Sequence, residues 1–174
     1  MNYITKIVCL IALTISVSFA IADDQSSGKK YKSVYVSTVV VEADMDRTKP
    51  DEVKYYADLE TEATAMITKF FKDEGYAIAD APDASNDRQI TINTKAIFNA
   101  GNRALRWVGG IIGAGKASAD VTMEAIDSLG KVVTSKSAQN TMRMGGFGGS
   151  APGLLMGVID SAWNSVIGEL SEAK

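Results

Sequence analysis

Hydrophobic and polar residues alternate along two long stretches of the chain, as they do in strands with one face on a core. Isoleucine, threonine, alanine and phenylalanine occupy every second position of 89–99, and a similar alternation runs through 117–126. The turn-forming segment Asp127–Gly130 separates the second stretch from Lys131–Asn140. This arrangement predicts two strands followed by a third that returns as a hairpin partner.

Two shorter apolar stretches predict further strands. Tyr31–Val41 has apolar or β-branched side chains on both alternating sets of positions, which predicts a strand buried at least partly on both faces. Tyr76–Ala79 is short, and the polar segment 80–88 that follows it has the composition of a loop.

Two segments repeat apolar residues every three or four positions, which is the spacing of one helix face. The first follows Thr48 and Pro50, residues that often open a helix, and ends near Gly75, which we expect to form a left-handed cap. The second follows Ser150 and Pro152 and is the clearest helix in the sequence. Its apolar stripe consists of Leu155, Val158, Ile159, Ala162, Trp163, Val166, Ile167 and Leu170.

These elements follow one another in the order βαββββα. Runs of neighbouring strands with only two helices predict an α+β fold, with a largely antiparallel sheet of about five strands and both helices packed on one face. We expect a single domain over residues 31–174. Residues 23–30 are polar and rich in turn formers, which predicts a flexible leader.

Residues 1–22 have the pattern of an export signal. Lys6 precedes an apolar run from Ile7 to Val17, and Ala20-Ile21-Ala22 supplies the small residues of a cleavage site. The run is shorter than the roughly 20 apolar residues of a transmembrane helix. We therefore expect an exported protein, periplasmic or envelope-associated, that is cleaved after Ala20 or Ala22. A lipid anchor needs a cysteine at the cleavage point, whereas Cys9 lies inside the apolar run.

The composition excludes several classes of enzyme. The chain has no histidine among its 174 residues, and its one cysteine lies in the segment that we expect to be removed. The exported form therefore lacks the side chains for Ser-His-Asp or Cys-His catalysis, disulfides, and zinc or copper sites with nitrogen or sulfur ligands. Asp120, Thr122 and Glu124 share one strand face, so a carboxylate pair stays open, although such alternation is typical of a solvated surface. We expect no catalytic residue, no metal and no cofactor.

Charge is unevenly distributed along the chain. Residues 42–87 contain 5 basic and 13 acidic residues, a net of −8, whereas residues 88–143 contain 8 basic and 3 acidic residues, a net of +5. Such polarity would orient the molecule against an anionic envelope surface or pair with its own acidic half. The formal net charge of −3 and the export signal argue against a nucleic-acid partner.

Two glycine-rich segments interrupt the pattern. In the first, Gly110 to Gly115-Lys116 has the spacing of a phosphate loop, but Ala117 follows where that motif needs serine or threonine, and a strand is predicted where it needs a helix. The second, Met142–Gly153, precedes a helix, but no second parallel strand follows it to complete a dinucleotide site. Binding of a small ligand or phosphate by the Gly110–Lys116 loop is the alternative function.

Both segments carry large apolar residues, and such surface is usually covered. If the strands pair as predicted, both segments leave the same end of the sheet and form a contact surface for an envelope protein, a second subunit or the membrane. The alternative is that they fold back over the domain's own core. The residues expected in the contact surface are Arg103, Arg106, Trp107, Gly110, Gly113, Gly115, Lys116 and Phe147. We expect Trp107→Ala or Phe147→Ala to disrupt association and leave the fold intact.

The run Asn-Arg-Ala-Leu-Arg-Trp-Val-Gly-Gly at 102–110 continues through Gly-Ala-Gly-Lys-Ala-Ser at 113–118 into a strand, followed by Asp127, Gly130, a glycine cluster and a terminal helix. Over most of the exported length, this arrangement resembles the bacterial domain of unknown function 4410. The resemblance implies a small exported or lipoprotein-like envelope protein with an α+β domain and no established enzymatic role. We interpret the chain as a non-enzymatic envelope protein that acts as a binding or assembly module.

Overall fold

The computed structural model describes residues 29–43, 48–100, 116–143 and 150–172. Within these ranges, the chain forms an α+β fold with the predicted order of elements, except that the first predicted strand is divided into two. The elements are β1 Ser33–Val36, β2 Val40–Glu42, α1 Pro50–Asp73, β3 Ala77–Ile78, β4 Gln89–Asn99, β5 Lys116–Asp127, β6 Val132–Arg143 and α2 Ala151–Glu172. The predicted export signal at 1–22 and most of the leader lie outside the described residues.

The six strands form one open sheet. Its order is β3-β1-β4-β5-β6, and β2 lies beside β4 beyond the end of β1. The two long pairings, β4 with β5 and β5 with β6, are antiparallel, while the short pairings of β1 and β2 with β4 and of β1 with β3 are parallel. The predicted largely antiparallel sheet and the hairpin of β5 and β6 are thereby confirmed.

An extra residue divides the first predicted strand. Val36 lies opposite Ile92, but Val40 lies opposite Lys95, so three residues intervene on one strand and two on the other. This local bulge reverses the alternation of side chains. Val34 and Val39 are therefore both fully buried, whereas Val40 is 52% exposed. The bulge brings first the even and then the odd positions to the same core, and it was not predicted. On the other side, Ser33, Tyr35 and Ser37 are half-buried, which agrees with the prediction of a strand buried at least partly on both faces.

Both helices cover one face of the sheet, as predicted. α1 packs over β1, β2 and β3, and α2 packs over β5 and β6. The helices meet through aromatic rings, since the ring of Trp163 lies 4.7 Å from that of Phe70 and 6.5 Å from that of Phe71. The core between helices and sheet is apolar, and its largest fully buried side chains are Tyr31, Phe71, Phe98, Ile67, Ile90, Ile92, Met123, Leu155, Ile159, Leu170, Val34 and Val39.

The opposite face, called the open face below, is not covered by either helix. It carries the odd positions of β4 and the even positions of β5, which are mostly polar and exposed or half-buried. Thr122 and Ser137 share a hydrogen bond of 2.8 Å across β5 and β6, and Lys95 forms a 2.9 Å salt bridge with Glu42. This division into an apolar and a polar face explains the strict alternation along β4 and β5.

Two glycines occupy left-handed positions that other residues rarely adopt. Gly75, with φ of +82°, follows the end of α1 as predicted, and Gly130, with φ of +79°, lies in the turn between β5 and β6. The Asp127 carboxylate accepts hydrogen bonds from the backbone N–H groups of Leu129 and Lys131 and so closes this turn. Within the described ranges, neither helix is long and apolar enough to cross a membrane.

Candidate functional site

Several strands end together at one end of the sheet, called the loop end below. The parallel β2 and β4 both finish there, β5 begins there, and β6 finishes there. The register shows this directly, because Asn99 lies opposite Ser118 and Lys116 lies opposite Arg143. Ala100 precedes the first glycine-rich segment, Lys116 ends it, and Arg143 lies at the start of the second. The prediction that both segments leave the same end of the sheet is therefore confirmed for the flanking residues that the structure describes.

Small and apolar residues near the loop end pack against the core. Ala117 and Ala119 of β5 are buried and give α2 room to pack closely. Leu154, in the first turn of α2, is buried, while Ala100 and Met142 are partly buried against the core. The strands beside the glycine-rich segments thus pack against the core close to their ends.

Lys116 is the one predicted contact residue among those the structure describes. It is exposed and opens β5. Because a strand follows Lys116, this residue does not stand at the start of a helix, which a phosphate loop requires. The other predicted contact residues lie outside the described residues: Arg103, Arg106, Trp107, Gly110, Gly113, Gly115 and Phe147.

The candidate carboxylates do not form a pair. Asp120 and Glu124 both lie on the open face, but four residues of strand separate their Cα atoms by about 13 Å. Glu124 accepts a long hydrogen bond of 3.4 Å from the Ser135 hydroxyl, and Asp127 is occupied by the hairpin turn. Since Asp120 is exposed and Glu124 is half-buried on a strand surface, their arrangement is that of a solvated face.

The structure also shows a groove that the sequence patterns did not indicate. It has a volume of about 570 Å³ and lies between α1 and the bulge that precedes β2. The residues that line it are Thr38, Thr61, Thr64, Ala65, Thr68, Lys69 and Lys72. Threonines at 61, 64 and 68 recur at helical spacing, and this signal was present in the sequence.

Most polar side chains of this groove that lie on α1 are already used by the fold. The hydroxyls of Thr61, Thr64 and Thr68 each donate a hydrogen bond to the carbonyl four residues earlier in α1. Thr64 also accepts a hydrogen bond from the Val39 N–H at 2.9 Å, and Lys69 forms a salt bridge with Asp73. The groove is therefore better explained as a seam between α1 and the sheet than as a ligand site.

Groups with shifted pKa values lie away from the loop end. Hydrogen bonds from Lys136 and Thr134 hold the pKa of the Glu169 carboxyl below its ordinary value. Hydrogen bonds from Ser85 lower the pKa of Asp83, and burial raises the pKa of the Tyr76 phenol. Glu169, Asp83 and Tyr76 all lie near the end of the sheet opposite the loop end. In the four described ranges, no group of three or more histidine, cysteine or acidic side chains is placed to hold a metal ion.

Comparison with known proteins gives only distant similarity. No protein-family model matches the sequence, and no curated protein matches it. Among solved structures, the chain is similar to the PelC dodecamer from Paraburkholderia phytofirmans, with 19% identity and a TM-score of 0.43 over 82% of this chain and 89% of that chain. A variant of the same protein gives the same identity and TM-score over 81% and 90%. This likeness is too distant to bear on function, and the resemblance to the domain of unknown function 4410 stays a prediction.

Proposed function

We propose that the chain is an exported, non-enzymatic envelope protein that binds a protein partner through the loop end of its sheet. The observation that carries the proposal is the register at this end, where Asn99, Lys116 and Arg143 bring the flanks of both glycine-rich segments together. A contact surface built from two separate segments requires this proximity.

The electrostatics of the described residues are compatible with such a surface. Lys116 is exposed at the loop end, while the nearby charges of Glu42 and Lys95 neutralise each other. Among the side chains that the structure describes there, a docking partner meets the exposed cation of Lys116. The pattern at residues 1–22 supports export, and an exported protein would meet its partner in the cell envelope.

Site-specific photo-crosslinking in cells that export the protein tests this proposal. A photoreactive amino acid is placed at Lys116, and the matched control carries it at Lys131, an exposed lysine at the opposite end of the same hairpin. We expect the 116 variant to capture a specific envelope protein, identified by mass spectrometry, and the 131 variant not to capture it. Identical products at both positions, no product at 116, or lipid adducts alone would contradict a protein partner at the loop end.

The same samples test export. Mass spectrometry of the exported protein is expected to find an amino terminus at Ile21 or Asp23, as cleavage after Ala20 or Ala22 requires. Recovery of the full-length chain from the envelope fraction would exclude a cleaved export signal.

A further inference from the structure

The strand β6 forms a long outer edge of the sheet. It contains 12 residues, and within the described part of the chain it pairs with β5 alone. Alternate backbone N–H and C=O groups of such a strand point away from its one neighbour. Ser135, Ser137, Gln139 and Thr141 are exposed along it. Proteins usually shorten, charge, bulge or cover an edge of this length.

β6 carries little of this protection. Between Val132 and Met142 it has no proline and one charged residue, Lys136. A charge on the covered face normally discourages pairing, but Lys136 forms a salt bridge with Glu169 of α2. The register shift with β5 lies beside the hairpin turn and leaves the rest of the strand regular. A second strand would therefore meet a regular edge without a net charge along most of its length.

The side of α2 above this edge is lined by small residues. Gly157, Ser161 and Ser165 are exposed and spaced four apart, so they form one stripe along the helix, called the small stripe below, and Glu169 follows four residues later on the same line. Glu169 contacts Thr134 and Lys136 of β6, which places the stripe on the outer flank, whereas Trp163 contacts α1 on the other side. A Cβ atom at Gly157 would meet nothing within 4 Å. The fold of one copy therefore does not require glycine at this position.

From these observations, we infer that two copies of this chain join edge to edge, with β6 antiparallel to β6 of the second copy. A two-fold axis perpendicular to the sheet makes the two sheets continuous and places both α2 helices on the same face. α2 covers both β5 and β6, so its axis lies about half a strand spacing inside the edge. With a strand spacing of about 4.8 Å, the two α2 axes are about 10 Å apart, close to the upper end of helix contact distances.

A second copy fits this surface because both contacts are then made at once. A strand from another protein could also extend the sheet. To reach the small stripe, however, that protein would need a helix at the same distance from its edge strand as α2 has from β6. In a second copy, this distance is identical by symmetry. The Lys136–Glu169 pair neutralises itself within each copy, so the two flanks do not repel one another. The inference does not depend on the proposed function, because the β6 edge and the loop end are different surfaces.

Sedimentation velocity of the purified protein tests the inference. We expect a dimer, and we expect Ser165→Arg to weaken association about tenfold or more, because a long charged side chain cannot fit between helices at that distance. Thr61→Arg is the matched control, since Thr61 is an exposed helical residue on α1. Circular dichroism verifies that both variants are folded.

Cysteine crosslinking tests the antiparallel pairing separately. In a Cys9→Ser background, single cysteines replace Ser135, Ser137, Gln139 or Thr141, and Thr61→Cys serves as the control. We expect one β6 position to form the intermolecular disulfide in highest yield, with lower yields on either side of it, and no dimer from Thr61→Cys. A monomer at every concentration, a dimer that Ser165→Arg leaves intact, or β6 cysteines that do not crosslink would each overturn the inference. Partner capture at residue 116 is a separate readout, so either proposal can fail without the other.

Discussion

The two outer edges of the sheet contrast in how their backbone groups are satisfied. On one side, the N–H of Val39 donates to the Thr64 hydroxyl and the N–H of Val41 donates to the Glu60 carboxylate, both at 2.9 Å. On the other side, β6 pairs only with β5 in the described part of the chain. α1 therefore both covers the core and caps an edge, while α2 covers the core and leaves the β6 edge unpaired among the described residues.

Strand length adds to this contrast. β2 and β3 contain 3 and 2 residues, so the edge near α1 is short, and the bulge before β2 makes it irregular. β6 contains 12 residues, and its only register shift with β5 is near the turn. Because an edge is a template for another strand in proportion to its length and regularity, association is expected at β6 and not at β2.

The largest expected effect comes from detaching α1 from the edge that it caps. Phe71 is fully buried and contacts the rings of Tyr76 and Trp163. Phe71→Ala should lower the free energy of unfolding by about 3–5 kcal/mol, measured by urea denaturation. Phe70→Ala is the control, because Phe70 is only half-buried and should cost clearly less. Equal losses for the two variants would show that the α1 core contact does not depend on the full burial of Phe71.

Removal of one cap should have a smaller effect. Thr64→Val keeps the shape of the side chain but takes the acceptor away from the Val39 N–H, and an unsatisfied buried donor costs about 1–3 kcal/mol. Thr61→Val is the matched control, since the Thr61 hydroxyl bonds only within α1 and its loss should stay within about 0.5 kcal/mol. Urea denaturation compares the two variants. If their stabilities are equal, the hydrogen bond from the Val39 N–H just before β2 does not contribute to the stability of the fold.

The contact between Glu169 and β6 should make stability depend on pH. Hydrogen bonds from Lys136 and Thr134 hold the pKa of the Glu169 carboxyl below its ordinary value of about 4.5. Its stabilising effect is therefore complete above about pH 4.5 and is lost as the pH falls through the lowered pKa. Urea denaturation of wild type and Glu169→Gln should show a difference above pH 4.5 that shrinks in more acidic solution.

Two further measurements isolate this contact. Thr134→Val removes one of the two hydrogen bonds and should give a smaller difference from wild type than Glu169→Gln does. Added salt should reduce the effect, because the pair is partly exposed and such pairs are screened. A difference between wild type and Glu169→Gln that is constant from neutral to acidic pH would show that Glu169 acts by packing alone.

The sequence predicted elements whose signal is local and missed those that depend on tertiary placement. Ile90, Ile92 and Ala96 alternate with polar residues and mark β4 directly. The bulge between Val36 and Val40 was missed because apolar or β-branched residues occupy both sets of positions there, so a shift by one residue leaves no trace in the pattern.

The candidate site was predictable to a similar degree. The same-end placement of the loops follows from antiparallel pairing, so it was correct for Lys116 and the other flanking residues. The caps from Glu60 and Thr64 were not predictable, because nothing near these residues in sequence indicates which strand edge α1 will meet. The position of β6 at the edge of the sheet was not predictable either. The residues of a strand do not indicate whether one or two strands will pair with it.

The smallest expected effect is that of Gly157→Ala, which should change the free energy of unfolding of one copy and the association of two copies in opposite directions. Gly157→Ala should raise the free energy of unfolding by about 1 kcal/mol in dilute solution, because alanine favours a helix and the added Cβ meets nothing within 4 Å. In concentrated solution, the same methyl group enters the small stripe, where it should weaken the dimer seen by sedimentation velocity. Opposite signs for stability and association would show that glycine is needed at 157 by the partner copy. If Gly157→Ala strengthens both, the small stripe does not pack against a second helix, and the two edges differ only in how they are capped.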